Sequence, residues 1–450
     1  MLTTFPSKKV SAMFDVATRS RTLAAMLVFS FAMTLSSRAS DWPTFRGPDR
    51  SGVSKETGLL AKWPTDGPPL VWKTRGAGRG YASLAIAGDR IFTLGDGPSN
   101  AGDKNEYIVC FDRQTGKRVW STKTGKPWTS GHPTWQSSRS TPTVDGNLVY
   151  VVTPFGYLIC LDTASGAEKW RKGLRGDFAG QKGDGWGYSE SVLIDGDRLI
   201  CTPGGPTATM IALDKHTGAG PMWTAKRDGD RGAAHPSIMI SEVGGTRVYV
   251  QNTASGPMGV RAEDGKLLWT YAVAPVPAIA PTPIIRGDLA YFSMGYNRGG
   301  ILFRQVPQAD GGVSVKAVYP LDPRMANKHG GVVLVGDYVY GDSDDAGVPF
   351  CADFLSGKLK WKHRGSGRGS AAMAAADGHL YIHFADGTMV LAQADPKGYA
   401  EVGSFKVPGS GERPSWSHPV ILDGKLYLRE QDHVLCYDIQ AKQGSPVAGR

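Results

Sequence analysis

The stretch Thr141-Pro-Thr-Val-Asp-Gly-Asn-Leu-Val-Tyr-Val-Val152, continued by Gly156-Tyr-Leu-Ile-Cys-Leu-Asp162 and Thr163-Ala-Ser-Gly-Ala-Glu-Lys-Trp170, holds the unit that the rest of the chain repeats. Asp145-Gly146 separates two apolar, β-branched runs, and an Asp-Gly pair in that setting is a hairpin turn. Leu148–Val152 reads as the second strand and Leu158–Leu161 as the third. Between Asp162 and Gly166 the chain turns again: the Asp carboxylate can accept from backbone amides, and the Gly supplies a positive φ. Lys169-Trp170 then lies on a fourth strand. Four short antiparallel strands per repeat make one propeller blade.

The turn between the first two strands recurs eight times, at Gly88-Asp89, Asp145-Gly146, Asp195-Gly196, Gly244-Gly245, Gly287-Asp288, Gly336-Asp337, Asp377-Gly378 and Asp423-Gly424. The outer turn D-x-x-x-G-x-x-x-W is complete at Asp112/Gly116/Trp120, Asp162/Gly166/Trp170 and Asp353/Gly357/Trp361. It is one residue longer at Asp214/Gly218/Trp223 and shortened before Trp269. In the fifth repeat Tyr319 takes the Trp place, and in the seventh Asp395-Pro-Lys-Gly398 has no Trp after it. Trp72 precedes every repeat, 48 residues before Trp120, while the last repeat, near Asp423–Asp438, ends without a Trp. A first segment that completes the last repeat predicts a closed ring: an all-β, eight-bladed propeller of four-stranded antiparallel blades, closed by an N-terminal strand at Trp72.

The repeated Trp has a packing reason. Each blade is apolar on both faces, and a large ring on the outer strand can cover the wide outer gap to the next blade. Such a ring removes roughly 150–250 Å² from water, worth several kcal/mol at about 25 cal/mol per Å². Trp72, Trp120, Trp170, Trp223, Trp269 and Trp361 are therefore read as structural, together with Asp112, Asp162, Asp214 and Asp353. Cys110, Cys160, Cys351 and Cys436 occupy one repeat position, where the third repeat has Ala212. Cysteines that alternate with Ala on separate repeats are small buried residues, and neither disulfides nor metal sites are expected of them.

This unit, strand-Asp-x-x-[ST]-Gly-x-x-x-Trp repeated around eight blades, resembles the pyrroloquinoline-quinone (PQQ)-like propeller repeat over Leu70–Ile439. That family includes quinoprotein alcohol dehydrogenases and the propeller of the outer-membrane β-barrel assembly machinery. The first branch implies PQQ in the channel, a calcium ion held by acidic and amide oxygens, a catalytic carboxylate and a disulfide of adjacent cysteines. No adjacent cysteines occur here. Only Glu190 is acidic among the inner-strand starts, with Asn327 and Asp377 in the vicinity, whereas a hard cation needs several oxygen ligands. The second branch implies bare blades and a protein partner. The repeat defines the ring; what the ring holds is a property of its side chains.

The chain has 450 residues and a formal charge of +10. Arg19 and Arg21 flank an apolar run, Thr22 to Leu35, too short to span a bilayer, and Ser37-Arg38-Ala39 offers small residues for cleavage. Residues 1–39 are thus expected to be a secretory signal, 40–69 an extended segment packed on the propeller with Trp42 and Phe45 as anchors, 70–440 the propeller, and 441–450 a disordered tail. Removing the signal takes away five basic residues and one acid, so the charge drops to +6. No Cys follows the apolar run, so no lipid anchor is expected, nor a membrane span once the signal is cleaved. The remaining basic residues are scattered rather than in a stripe, which argues against nucleic acid. The expected location is the periplasm or outside the cell.

In a propeller the starts of the inner strands surround the channel. The candidates for ligand contact there are Arg79, Arg139, Trp186, Glu190, His235, His329, Arg368, Trp416 and His418, a set suited to a small anionic or planar ligand. Trp72-Lys-Thr-Arg-Gly-Ala-Gly-Arg-Gly-Tyr-Ala82 is echoed by Trp361-Lys-His-Arg-Gly-Ser-Gly-Arg-Gly-Ser-Ala371, so each copy carries a Gly-Arg-Gly loop directed at the channel. Asp342-Ser-Asp-Asp345 reads as a solvated loop rather than a calcium site, since it lacks the Gly and distal Glu of an EF-type loop. No G-x-S-x-G, H-E-x-x-H or C-x-x-C-H occurs. The expectation is an exported, non-catalytic propeller that binds a protein partner or a ligand in its channel, with no cofactor and no metal. The alternative is a periplasmic PQQ-dependent oxidoreductase acting on alcohols or sugars with Ca²⁺.

Overall fold

Residues 41–97, 104–329 and 331–441 are described by the structure, a computed structural model. The expected signal, 1–39, and the expected tail, apart from Ala441, lie outside the described residues. The described chain forms eight sheets of four antiparallel strands. Seven are built from consecutive strands, the first from Ala85–Ala87, Arg90–Asp96, Glu106–Asp112 and Arg118–Gly125. The eighth takes Val420–Leu422, Lys425–Glu430 and His433–Asp438 from the C-terminal end and Leu70–Arg75 from the N-terminal end. Trp72 pairs with Cys436 in that sheet, so the ring closes as the sequence predicts.

Register explains both the tryptophans and the cysteines. The outer-strand Trp stands opposite a small or slim third-strand residue: Trp120 opposite Cys110, Trp170 opposite Cys160, Trp223 opposite Ala212, Trp269 opposite Gly259 and Trp361 opposite Cys351. Tyr319 sits opposite Leu302 in the fifth blade and does take the Trp place. All five cysteines are free and buried.

The Gly and the Trp of one D-x-x-x-G-x-x-x-W motif serve different blade interfaces. Each outer-turn glycine lies under the ring of the preceding blade: Gly166 under Trp120, Gly218 under Trp170, Gly265 under Trp223 and Gly357 under Tyr319. Gly116 lies under Trp72, so the same contact joins the eighth blade to the first. A Cβ at these glycines would lie 2.5–2.9 Å from the ring, and their φ values of +66° to +76° disfavour other residues. The indole N–H then donates to a backbone carbonyl of the next blade, Trp120 to Thr163, Trp170 to Lys215 and Trp223 to Ala262. Asp112, Asp162, Asp214 and Asp353 accept from the backbone and hydroxyl of the Thr or Ser three residues on.

In the seventh blade the Trp place falls on Gly403, opposite Leu391. Trp63, from the segment ahead of the first blade, covers this position. Its backbone N–H donates to Val402 O at 3.1 Å, and its ring packs edge-on against Tyr381 and Phe405.

The residues between 41 and 54 span the channel. Trp42 bridges to Ile86 in the first blade, Pro43 O accepts from Val144 in the second, and Ser54 N–H donates to Ala375 in the seventh. Arg50 donates to Ser191 O and, at 2.9 Å, to Val192 O in the third blade; Arg46 donates to Val332 O in the sixth at 2.5 Å. Both arginines are buried, at 3% and 5% exposure, and carbonyl oxygens accept from the terminal guanidinium nitrogens of each. Burial lowers both to about 10, so they remain charged at neutral pH.

Candidate functional site

One residue from an equivalent place in each blade contributes to the wall of a central cavity. It stands six residues before the last residue of the inner strand in seven blades, and eight before it in the fourth. These residues are Tyr81, Arg139, Ser189, His235, Ala280, His329, Ser370 and Trp416, and all line a cavity of about 480 Å³. Two residues further along, short hydroxyl side chains stitch neighbouring blades together. Ser83 N–H donates to Thr141 Oγ1 at 2.9 Å, Ser191 N–H to Ser237 Oγ at 3.1 Å, and Ser237 N–H to Thr282 Oγ1 at 3.2 Å. These bonds tie the wall positions of neighbouring blades to one another. Phe45, from the segment that crosses the channel, also lines the cavity and meets His418 edge-on at 4.8 Å.

Half of the wall is a continuous stack. His329 lies flat on Trp416 with ring centroids 4.3 Å apart, Trp416 contacts Tyr81 at 4.7 Å, and the Arg139 guanidinium lies 5.4 Å from the Tyr81 ring centroid. Ser370 is small enough to let His329 reach across the seventh blade, and its Oγ lies 2.6 Å from His329 Nδ1. Arg139 donates to the carbonyls of Ser137, Trp186 and Trp135.

On the other side, His235 lies between a hydroxyl and a carboxylate. Its Nδ1 is 2.5 Å from Ser189 Oγ, and its Nε2 is 3.0 Å from Asp184 Oδ2. Backbone pairing creates this meeting: Lys182 bridges Ala233, with Gly183 N–H donating to Ala233 O, so Asp184 and His235 emerge side by side. Lys182 Nζ lies 2.5 Å from Asp184 Oδ2, and Trp186 N–H donates to Asp184 Oδ1. Burial pushes the imidazoles of His329 and His418 down to about 3, so both are neutral at pH 7, and it lowers His235 as well, against the pull of Asp184. Burial acts to raise the Asp184 carboxyl, but His235 and Lys182 beside it prevail and hold it well below the usual range.

Of the residues expected from the sequence, the structure brings Arg139, Trp186, His235, His329, Trp416 and His418 together around this cavity. Glu190 is not among the lining residues. It is buried behind the wall, where it accepts from Thr202 N–H, Thr202 Oγ1 and Gln251 Nε2, and burial raises it to about 8. Arg79 and Arg368 are exposed and stand outside the cavity lining. Their glycine loops do bind carboxylates, but internal ones. Gly76 and Gly78 N–H groups donate to Asp432 Oδ1 at 3.1 and 2.8 Å, and Ser366 N–H donates to Glu401 Oε1 at 2.8 Å. The Asp342 cluster is not a solvated loop throughout. Asp342 is buried against Asn327 and the Ala371 N–H, Asp344 accepts from the amides of Tyr296 and Asn297, and Asp345 pairs with Lys328. Sequence reasoning missed Ser189, Ser370 and Asp184, whose only signal is their offset from strands that must first be placed.

The donor set does not suit PQQ with calcium. Asp345 is the one carboxylate in the lining, and Lys328 occupies it. Among the described residues no group of His, Cys, Asp and Glu is placed to hold a metal ion. Asn327 Oδ1 accepts from Gly331 N–H, and Asp377 accepts from Leu59 N–H, so the oxygens of both are engaged within the fold.

Ring, closure and repeat define a PQQ-like eight-bladed propeller. The sequence model of the family described as outer membrane protein assembly factor BamB matches residues 104–362, more than half of the chain, and the chain belongs to that family. Two curated relatives carry that description. The protein from Yersinia pestis is 26% identical over 253 residues, 51% of this chain and 56% of the relative. That from Xanthomonas campestris pv. campestris is 28% identical over 151 residues, 33% of this chain and 36% of the relative. The matches thus span about half or less of those relatives. Among solved structures, BamB from Moraxella catarrhalis superposes with a TM-score of 0.57 at 16% identity, covering 84% of this chain and 99% of that one. Quinohemoprotein alcohol dehydrogenase from Comamonas testosteroni superposes with a TM-score of 0.60 at 14% identity, covering 92% and 82%. At these identities the superpositions speak for the fold.

Proposed function

We propose that the chain is an exported propeller of the cell envelope that acts as a scaffold in the assembly of outer-membrane proteins. The family match over residues 104–362 carries this reading. The build of the ring supports it: its own N-terminal segment crosses the channel through Arg46 and Arg50, and the blades are locked edge to edge, which suits a rigid platform. Exposed aromatic side chains offer it a contact surface. Trp135, Phe155 and Tyr157 are 40–46% exposed, with Phe155 packed on Trp128 of the loop that leads to Trp135. Rings of this kind carry much of the energy at protein interfaces. The donor set around the cavity disfavours the quinoprotein alternative.

The test is affinity purification of the full chain from envelope extracts after crosslinking, beside a Trp135→Ala/Phe155→Ala variant. Co-purification of outer-membrane assembly components that weakens at least tenfold in the variant supports the scaffold. Recovery of the chain free of them, with unchanged outer-membrane protein levels in a deletion strain, rejects it.

A further inference from the structure

Two Ser–His pairs face the cavity, and they differ in one respect. His329 and Ser370 form a pair in which no carboxylate among the described residues bonds the second ring nitrogen; that imidazole is stacked on Trp416 instead. His235 has Ser189 on Nδ1 at 2.5 Å and the Asp184 carboxylate on Nε2 at 3.0 Å. A carboxylate on Nε2 fixes the tautomer: Nε2–H donates to Asp184, which leaves Nδ1 as the acceptor of the Ser189 proton. Nucleophile, base and orienting acid are thus within hydrogen-bond reach in the order that acyl transfer requires.

We propose that Ser189, His235 and Asp184 form a hydrolytic relay acting on a small, uncharged carboxylic ester held in the central cavity. Ser189 Oγ bonds to the acyl carbon while its proton passes to His235 Nδ1. The ester C–O bond breaks, and the departing alkoxide takes that proton from His235. Water then adds to the acyl-serine with His235 accepting its proton, and the carboxylic acid leaves as Ser189 Oγ regains one. No oxidant is needed, and water is the co-reactant. Asp184 touches no substrate; it is a positioning residue that holds the imidazole and balances its transient charge, itself fixed by Lys182 and the Trp186 amide. Arg139, the wall residue of the preceding blade, lines the same cavity and adds positive charge there for the developing oxyanion. The volume of about 480 Å³ and the aromatic rings opposite suit an ester with a flat apolar portion. This activity is independent of the scaffold reading.

The experiment treats the full chain with a fluorophosphonate and maps the modified peptide by mass spectrometry, alongside p-nitrophenyl acetate hydrolysis. Ser189 is expected to be labelled and Ser370 not. Ser189→Ala should lose labelling and at least ~100-fold of the hydrolysis rate, the scale of a lost nucleophile–base pair, while Ser121→Ala, exposed on an outer strand and outside the cavity lining, keeps both. Asp184→Asn should lower kcat with KM unchanged; a purely structural role would instead shift the melting temperature. Because Asp184→Asn leaves Lys182 without its partner and can unfold the loop, the Ser189 variant and the site of labelling decide. The proposal is overturned if cooperatively folded protein leaves Ser189 unlabelled while a reference serine hydrolase reacts. Equal labelling of Ser370, or hydrolysis unchanged in Ser189→Ala, overturns it as well. Loss of the envelope partner in the crosslinking experiment leaves these readouts untouched, so the two readings fail separately.

Discussion

A Cβ on Gly403 would lie 2.5 Å from the Cβ of Trp63. Gly403 stands where other blades carry their outer Trp, so a residue 340 positions earlier supplies the missing ring and needs the bare glycine to do so. Trp63→Ala is expected to destabilise the fold by about 3–5 kcal/mol, as for other buried Trp truncations. Gly403→Ala should cost about 1–3 kcal/mol by overpacking. Denaturant titration checks both, and an unchanged midpoint in either would refute the substitution of Trp63 for a blade residue.

The seam between the last and first blades holds a buried cation. Arg429, 1% exposed, donates to the carbonyls of Ala82, Leu94, Ala77 and Gly78 and to Thr93 Oγ1. Arg429→Met keeps much of the volume but strands several buried acceptors, each costing about 1–3 kcal/mol. The ring is expected to open at this seam first. Hydrogen exchange should therefore rise in Leu70–Arg75 and His433–Asp438 well before it rises in the third blade.

Alkaline stability should depend on Glu106. This carboxyl is buried, accepts from Thr124 Oγ1 and Ser138 Oγ, and is raised by burial from 4.5 to about 8. Between those values the folded state binds a proton that the unfolded state has released. Its contribution is therefore complete below about pH 4.5 and is lost as pH rises through about 8. Glu106→Gln should flatten this limb, melting higher than the wild type at pH 8.5 and close to it at pH 5. Parallel melting curves for the two proteins across that range would count against it.

The opposite sign holds at the outer turns. Hydrogen bonds from Thr115 hold Asp112 below its ordinary value, and those from Thr217 do the same for Asp214. Their contribution is present above the unfolded value of about 3.9 and is lost as pH falls below it. Asp112→Asn should remove part of the acid-limb loss, measured as a smaller drop in melting temperature between pH 5 and pH 2.5.

The segment across the channel is held by two arginines. Arg46→Ala with Arg50→Ala removes its charge-assisted bonds to the third and sixth blades, worth about 1.5–3 kcal/mol each. Limited proteolysis should then cut within residues 41–54 while the blades stay intact. Equal resistance of the double variant and the wild type would show that Trp42 and Phe45 suffice as anchors.

Local sequence determined the blade. Asp-Gly turns, alternating apolar runs and Trp spacing act within about ten residues, so Trp72, Trp120, Trp170, Trp223 and Trp361 could be placed by counting, and the offset of Trp72 implied closure. Only the tertiary structure decided what lies around the channel, because the ring brings together residues from blades far apart in sequence. Six of the nine expected channel residues reached the cavity. Arg79 and Arg368 did not, since the amides of their loops bind Asp432 and Glu401, carboxylates that no local pattern pairs with them. Glu190 lies one residue beyond Ser189, and alternation along the chain sends it behind the wall. Trp63 in the place of a blade tryptophan, and Asp184 beside His235, depend on through-space distances that spacing along a chain does not encode.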